Sequence, residues 1–140
     1  MSKVAVVYWS GTGNTEAGAN FVAEGAKEKG ASVDLLTAGE FDASKIDEYD
    51  AVAFGCPAMG SEQLEDGEFE PMFTGVESKL NGKKIGLFGS YDWGDGEWMR
   101  LWSEQCRGDG AQLAADGVIF HGAPDDTAEG ELKMLGAALA

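Results

Sequence analysis

Basic residues are scarce in this chain, and histidine and cysteine nearly absent. The 140 residues include 10 lysines and arginines against 25 aspartates and glutamates, which gives a formal net charge of −15. A surface this acidic repels nucleic acids and anionic membranes, so neither is expected as a partner. It favours partner proteins that dock through basic surfaces.

The few cysteines and the single histidine exclude several kinds of site. Cys56 and Cys106 form neither a disulfide framework nor a CxxC motif, and no cluster with metal-ligand spacing includes His121. We therefore predict no metal site. The chain also lacks an apolar run of about 18 residues and a basic–apolar leader. These absences predict a soluble, cytoplasmic protein, and the length predicts a single domain over residues 1–140.

Apolar strand-like runs alternate with helical patterns along the chain. The runs cover residues 4–9, 33–37, 51–55, 84–90 and 118–120, and the helical patterns cover residues 15–29, 97–107 and 127–139. We assign Gly30 to the end of the first helix and Thr127 to the N-cap of the last. Runs that are apolar on both faces indicate an α/β fold, a parallel sheet covered by helices on two sides.

Ligands bind to such sheets at the carboxyl ends of the strands. Function is therefore expected in the segments 10–15, 56–66, 91–96 and 121–126. The first of these reads Ser10-Gly11-Thr12-Gly13-Asn14-Thr15 and precedes a helix. Backbone N–H groups at a helix N-terminus bind anions, and the hydroxyls and the amide add neutral donors.

Two common phosphate motifs do not fit this segment. It is not a Walker loop, because no lysine follows its glycines, and it is not a dinucleotide loop, because Glu16 stands where the third glycine belongs. The second strand, ending in Leu35-Leu36-Thr37, also lacks the acid that binds ribose in dinucleotide sites. The pattern suits one monophosphate held without cations.

The segment resembles the phosphate loop of the flavodoxins, which hold FMN. Two further segments, Cys56-Pro57-Ala58-Met59-Gly60-Ser61-Glu62 and Gly89-Ser90-Tyr91-Asp92-Trp93-Gly94, lie where that family has its flavin loops. With three matching loops in order, the chain is similar to the short-chain flavodoxins of anaerobic bacteria nearly end to end. The resemblance implies a flavodoxin-like three-layer sandwich with a five-stranded parallel sheet, order 2-1-3-4-5, and helices on both faces. The FMN-binding residues that it implies are Ser10, Gly11, Thr12, Gly13, Asn14, Thr15, Ala58, Met59, Gly60, Ser61, Glu62, Ser90, Tyr91, Asp92, Trp93 and Gly94.

The flavin loops have suitable chemistry of their own. A flat flavin ring needs two apolar walls, and Trp93 offers an aromatic face while Met59 offers a polarizable one. The resemblance implies that Met59 lies on the inner side of the flavin and Trp93 on the outer. It also implies that Glu62 accepts a hydrogen bond from flavin N3–H. The peptide at Gly60 would turn its carbonyl toward N5–H upon one-electron reduction.

Acidic residues cluster on both sides of these loops: Glu62, Glu65, Asp66, Glu68, Glu70, Asp92, Asp95 and Glu97. Fully reduced flavin is expected to be an anion. One carboxylate roughly 9 Å away, at an effective dielectric constant near 50, disfavours that anion by about 0.7 kcal/mol. This lowers a one-electron potential by roughly 30 mV. We therefore expect a low-potential carrier that cycles between semiquinone and hydroquinone.

Two positions depart from the commonest short-chain pattern. Ser61 stands where some family members carry an acid, and Asp92 stands where close relatives often have glycine. Asp92 removes backbone freedom beside Trp93 and adds charge near the ring. Both differences bear on the redox potential rather than on FMN binding.

Two alternative functions remain on the same class of fold. An FMN-dependent NAD(P)H:quinone reductase needs an open pocket above the flavin, which Trp93 would cover. A phosphoacceptor receiver domain needs paired acids after the first strand, where Tyr8-Trp9-Ser10 has none. We predict an electron-transfer protein with no catalytic residues. The expected form is a monomer, and the expected partners are low-potential oxidoreductases with basic docking surfaces.

Five other residues have simpler interpretations. Trp98 and Trp102 lie four apart on a predicted helix and indicate a core stripe. Cys56 is expected as a buried small side chain rather than a nucleophile. His121 is expected to be structural or to face solvent, and Trp9 either shields the phosphate or packs.

Overall fold

A computed structural model describes residues 2–59, 63–92 and 94–140 of the chain. Within them lie six β-strands: β1 Lys3–Tyr8, β2 Ser32–Thr37, β3 Ala51–Gly55, β4 Lys84–Tyr91, β5 Gln112–Leu113 and β6 Val118–His121. The same residues form five α-helices: α1 Asn14–Glu28, α2 Ala43–Ile46, α3 Phe69–Val76, α4 Glu97–Gly108 and α5 Asp126–Leu139. Short 3-10 turns cover Ala38–Glu40 and Glu77–Lys79. None of the helices seen in this part of the chain is long and apolar enough to span a membrane.

The strands form one parallel sheet in the order β2-β1-β3-β4, with β5 and β6 both beside β4. β5 pairs with Lys84 and Ile85 at the start of β4, and β6 pairs with residues 88–91 at its end. The fifth position is therefore filled by two short strands. The predicted class and strand order are confirmed. The two residues of β5 are too few to show an alternating pattern in the sequence.

The predicted cap of the last helix is wrong. α5 begins at Asp126, and the side chain of Asp125 accepts a hydrogen bond from Ala128 N–H at 2.8 Å. Thr127 lies inside the first turn. Aspartate and threonine both cap helices, and Asp125 and Thr127 are only two positions apart, so the sequence leaves the choice open. The extended backbone of Asp125, at φ −88° and ψ −175°, makes it the cap.

The sheet separates two apolar cores. The core that contains the buried residues of α3 and α4 is aromatic: the ring of Trp102 lies edge-on 5.5 Å from Phe69 and 5.6 Å from Phe73. The core on the other face is built with α1 and α5 from smaller side chains. Burial on both faces explains the continuous apolar runs of β1, β3 and β4, whereas β2 lies at the edge and is largely exposed.

Helices α1 and α5 pack backbone against backbone. A Cβ on Gly25 would lie 2.0 Å from the carbonyl oxygen of Lys133, and one on Gly136 would lie 2.0 Å from that of Val22. No side chain fits at either position. These two glycines allow the helices to cover the sheet closely and to hold the N-terminus of α1 at the carboxyl end of β1.

Candidate functional site

The loop at residues 10–13 connects β1 to the N-terminus of α1. Gly13 has a φ of 95°, a left-handed conformation that favours glycine and turns the chain into the helix. The hydroxyl oxygen of Ser10 accepts a hydrogen bond from Gly13 N–H at 3.0 Å. The carbonyl of Gly13 then accepts the first bond of the helix from Ala17 N–H, also at 3.0 Å. The side chain of Ser10 thus closes the loop by bonding to its backbone.

Other donors in this loop are free. The N–H groups of Gly11, Thr12 and Asn14 have no acceptor among the residues that the structure describes, as expected where an α-helix begins. Gly13 N–H is the exception, because Ser10 binds it. No lysine or arginine lies in residues 10–15. Neutral donors at a helix N-terminus form a donor set that fits a phosphate monoester.

Ser90 joins this loop to the other strand ends. Its N–H donates to Thr15 Oγ1 at 3.4 Å, and both residues are buried. Its hydroxyl donates to the carbonyl of Gly122 at 2.6 Å, and its carbonyl accepts from Ala58 N–H at 3.0 Å. Residues that the sequence places in three separate functional segments therefore bond to one residue near the end of β4.

The second predicted loop leaves β3 at Cys56. Ala58 and Met59 are half-buried, and Met59 pairs with Gln63 through hydrogen bonds of 2.9 and 3.0 Å in both directions. Gly60, Ser61 and Glu62 lie outside the described residues, so their predicted contacts with flavin stay predictions. Met59 thus lies at the carboxyl ends of the strands, as does the segment of residues 10–15.

Cys56 is a fully buried anchor for this loop. Its carbonyl accepts from Trp98 Nε1–H at 3.2 Å, and its sulfur accepts from Glu65 N–H at 3.3 Å. Burial raises the pKa of the Cys56 thiol to about 12, so the group is protonated and unreactive at neutral pH. The prediction of a buried small side chain is confirmed.

Glu65 has a role that sequence analysis missed. The residue is 8% exposed, and its carboxylate accepts hydrogen bonds from the N–H groups of Gly67, Glu68 and Phe69, at 2.7 to 2.8 Å. Burial alone would raise the pKa of Glu65, but the three backbone hydrogen bonds together lower it. Glu65 therefore caps α3. The signal in the sequence was an acid four residues before the apolar start of a helix.

The third predicted loop begins at Tyr91. The Tyr91 ring lies 5.4 Å from the His121 ring, edge to face, and 5.9 Å from that of Trp98. His121 Nε2 is 2.8 Å from the carbonyl oxygen of Asp92. His121 is exposed and bonded to this loop, which confirms both of its predicted roles. Trp93 lies outside the described residues, and its place over the flavin stays a prediction.

The other three tryptophans, Trp9, Trp98 and Trp102, lie within the described residues. Trp98 and Trp102 are each 2% exposed, which confirms the predicted core stripe. Trp9 is half-buried and packs against the aromatic core, and its ring would lie 3.0 Å from a Cβ on Gly11. Trp9 therefore packs beside the segment of residues 10–15.

Two members of the acidic cluster bind other groups of the protein. Asp95 pairs with Arg100 at 3.2 Å, an exposed pair of little energetic weight, and Glu65 serves as the helix cap. The remaining described members are exposed: Asp66, Glu68, Glu70, Asp92 and Glu97. The edge of the sheet that carries the predicted loops is therefore strongly negative.

Comparison with known proteins agrees with this geometry. The flavodoxin family profile matches residues 6–134. The chain is 45% identical to a flavodoxin of Megasphaera elsdenii over 137 residues, which cover 98% of each chain. It is 42% identical to a flavodoxin of Clostridium beijerinckii over 121 residues, covering 86% of this chain and 88% of the relative. The solution structure of two-electron reduced M. elsdenii flavodoxin superposes with a TM-score of 0.90, at 46% identity and 97% coverage of both chains.

Quinone reductases are more distant relatives. An NAD(P)H dehydrogenase (quinone) of Bradyrhizobium is 32% identical over 103 residues, and this stretch covers only 50% of that protein. The close relatives over nearly the full length are flavodoxins. The chain belongs to the flavodoxin family, whose members bind FMN and carry electrons between redox partner proteins rather than catalyse a reaction.

Proposed function

We propose that this chain binds one FMN noncovalently and carries electrons at low potential, one at a time, between its one-electron and two-electron reduced states. The observation that supports this most directly is the convergence on Ser90. Hydrogen bonds from this one residue reach the segments that follow β1, β3 and β6. The segments that we assign to the phosphate and to the two sides of the flavin are thereby joined at the carboxyl ends of the strands.

The phosphate would lie at the N-terminus of α1. The free N–H groups of the loop, the hydroxyls of Ser10, Thr12 and Thr15 and the amide of Asn14 are the donors that we assign to it. No cation is present in residues 10–15 to offset its charge. The phosphate therefore keeps its negative charge near the flavin and disfavours an added anion there.

The ring would lie against the second and third loops. We assign Ala58, Met59, Gly60, Ser61 and Glu62 to one side of the ring and its pyrimidine edge. Ser90, Tyr91, Asp92, Trp93 and Gly94 are assigned to the other side. FMN supplies the redox chemistry, and the protein supplies binding, orientation and a negative potential.

The exposed acids suggest how partners dock. Five described carboxylates around the predicted flavin loops are free of ion pairs with described residues, and the chain carries a net charge of −15. Such a surface steers basic surfaces toward the flavin edge and weakens binding at high salt. We propose partners with basic docking patches. We also propose that the 140 residues act as one FMN-binding domain and a cytoplasmic monomer.

The test begins with titration of the apoprotein with FMN and with riboflavin, followed by flavin fluorescence. We expect tight binding and strong quenching with FMN, and much weaker binding with riboflavin, which lacks the phosphate. Equal affinity for both flavins would rule out the phosphate loop. No binding of either would reject the proposed cofactor site.

A redox titration of the FMN complex then tests the carrier role. Two separated one-electron steps are expected, the second at low potential, with a spectrum of a one-electron-reduced species between them. A single two-electron step would contradict the proposal. Steady oxidation of NAD(P)H by the isolated FMN complex, with a quinone as acceptor, would instead support a reductase.

A further inference from the structure

The only histidine of the chain contacts the loop that leads to Trp93. His121 is the last residue of β6, and it pairs in register with Tyr91, the last residue of β4. Its Nε2 reaches one residue further, to the carbonyl oxygen of Asp92 at 2.8 Å. Asp92 directly precedes Trp93 in the sequence. An imidazole from one strand thus bonds the backbone of the neighbouring loop.

The partner of the imidazole determines which of its nitrogens carries a hydrogen. A carbonyl oxygen only accepts hydrogen bonds, so the imidazole Nε2 must carry the hydrogen. In the neutral ring this selects the Nε2–H tautomer. Nε2 remains a donor in the imidazolium form as well, so the bond persists when the ring is protonated.

The backbone beside His121 is fixed by two hydrogen bonds of Gly122. Gly122 N–H donates to the Tyr91 carbonyl at 3.0 Å, and the Gly122 carbonyl accepts from the Ser90 hydroxyl at 2.6 Å. The Tyr91 ring meets the imidazole edge to face, with 5.4 Å between centroids and 79° between planes. The backbone that follows His121 is therefore held by Ser90 and Tyr91, and the imidazole itself lies against the Tyr91 ring.

We infer that His121 is a positioning residue for the third flavin loop, because its Nε2–H holds the Asp92 carbonyl and so fixes the peptide that leads into Trp93. The consequence for flavin rests on the proposed function. The hydrogen bond itself joins two groups of the protein. A test must therefore measure the stability of the loop in the apoprotein as well as in the FMN complex.

Three variants separate the bond from the bulk of the ring. His121→Phe keeps an aromatic ring beside Tyr91 but has no donor, and His121→Gln returns an N–H donor without the ring. Ile119→Val changes an exposed neighbour on the same face of β6 and is the control. All four proteins, including the wild type, are compared by amide hydrogen exchange and by FMN titration.

In the apoprotein, we expect residues 92–95 to exchange about 2- to 10-fold faster in His121→Phe, the range for losing one modest hydrogen bond. FMN should bind more weakly by a similar factor and with less quenching. His121→Gln should recover most of both effects, and Ile119→Val should match the wild type. Nitrogen-15 NMR of the neutral wild-type histidine should show the Nε2–H tautomer alone.

The inference is overturned by an Nδ1–H tautomer or by a Phe variant that exchanges and binds FMN like the wild type. Failure of His121→Gln to recover the loop would also count against it, since packing of the ring would then explain the effect. If the wild type binds no FMN, the proposed function fails, while the exchange and NMR results still decide the role of His121.

Discussion

The backbone N–H of Ser90 donates a hydrogen bond to the side-chain oxygen of Thr15, although 75 residues separate them in the sequence. The bond is buried and ties the first turn of α1 to the end of β4. A hydroxyl accepts and donates at once, so the hydrogen of Thr15 is still available for a phosphate. Thr15 thus combines a structural role with a proposed ligand contact.

Valine in place of Thr15 should affect both folding and FMN binding. Thr15→Val leaves the buried N–H of Ser90 without an acceptor, which should lower the free energy of unfolding of the apoprotein by about 1–3 kcal/mol. The matched control is Thr12→Val, because Thr12 is exposed. It should leave stability within about 0.5 kcal/mol of the wild type, as surface changes usually do, and weaken only FMN binding.

Urea unfolding of the apoproteins and FMN titration measure the two effects separately. Equal stability of Thr15→Val and wild type would show that the buried bond contributes nothing. Equal FMN affinity of Thr12→Val and wild type would remove that hydroxyl from the proposed phosphate site.

The close contact of α1 and α5 predicts opposite effects for two changes in one helix. Gly136→Ala would place a methyl group 2.0 Å from the carbonyl oxygen of Val22, so the helices must separate. We expect a loss of about 1–3 kcal/mol in the free energy of unfolding. Gly130→Ala meets no atom within 4 Å and should stabilise α5 by about 1 kcal/mol.

Thermal unfolding of the apoproteins distinguishes these cases. The melting temperature should fall for Gly136→Ala and rise for Gly130→Ala. A rise in both would mean that the helices adjust freely, and that their contact does not depend on glycine.

The buried cap of α3 predicts a pH-dependent stability. The pKa of Glu65 is lowered in the folded protein, so its contribution to stability is complete above the pKa of the unfolded chain, about 4.3. That contribution is lost as the pH falls through the lower folded pKa. Glu65→Gln should therefore be less stable than the wild type by about 1–3 kcal/mol at pH 7.

The difference between Glu65→Gln and wild type should begin to shrink below about pH 4.3, where the unfolded wild-type chain starts to bind a proton at Glu65. It should be lost once the pH falls below the lower pKa of the folded protein. Urea unfolding at a series of pH values measures this difference in the free energy of unfolding. Glu104→Gln, at an exposed position of α4, is the control and should show no such trend. A difference that stays constant down to acid pH would exclude the charged cap.

Charge near the predicted flavin should set the second reduction potential. Asp92→Asn removes one exposed carboxylate beside Trp93 and should raise that potential by roughly 30 mV or less. Glu28→Gln is the control, because Glu28 ends α1, about 20 Å along the helix from the phosphate loop.

Redox titration at low and high salt measures both variants. The effect of Asp92→Asn should diminish at high salt, since exposed charges are screened over about 10 Å at 0.1 M. Equal shifts for the two variants would show that net charge, rather than the position of the acid, sets the potential.

Much of the fold and the site follows from local patterns. The apolar runs of β1, β3 and β4 are continuous because both faces of a parallel sheet are buried. The segment after β1 has the residue types of an anion site at a helix N-terminus. These features lie within a few neighbouring residues, so they can be predicted from the sequence alone.

Other features are not shown by the sequence pattern. Asp125 and Thr127 are both possible caps of α5, and the backbone conformation of Asp125 identifies the cap. Glu65 appeared in the sequence only as one acid among several, and its hydrogen bonds to residues 67–69 became visible only with its burial. His121 offered no pattern at all, because its partner is the backbone carbonyl of Asp92, in the loop that follows another strand.

Short stretches of chain are enough to predict the class of fold, the three candidate loops and the absence of cations from residues 10–15, because these are local properties. Which groups meet depends on the folded chain. Ser90 bonds the segments that follow β1, β3 and β6, and His121 holds Asp92, because the parallel sheet brings all its strand ends to one edge. Hydrogen bonds act only over about 3 Å, and only folding brings such groups that close.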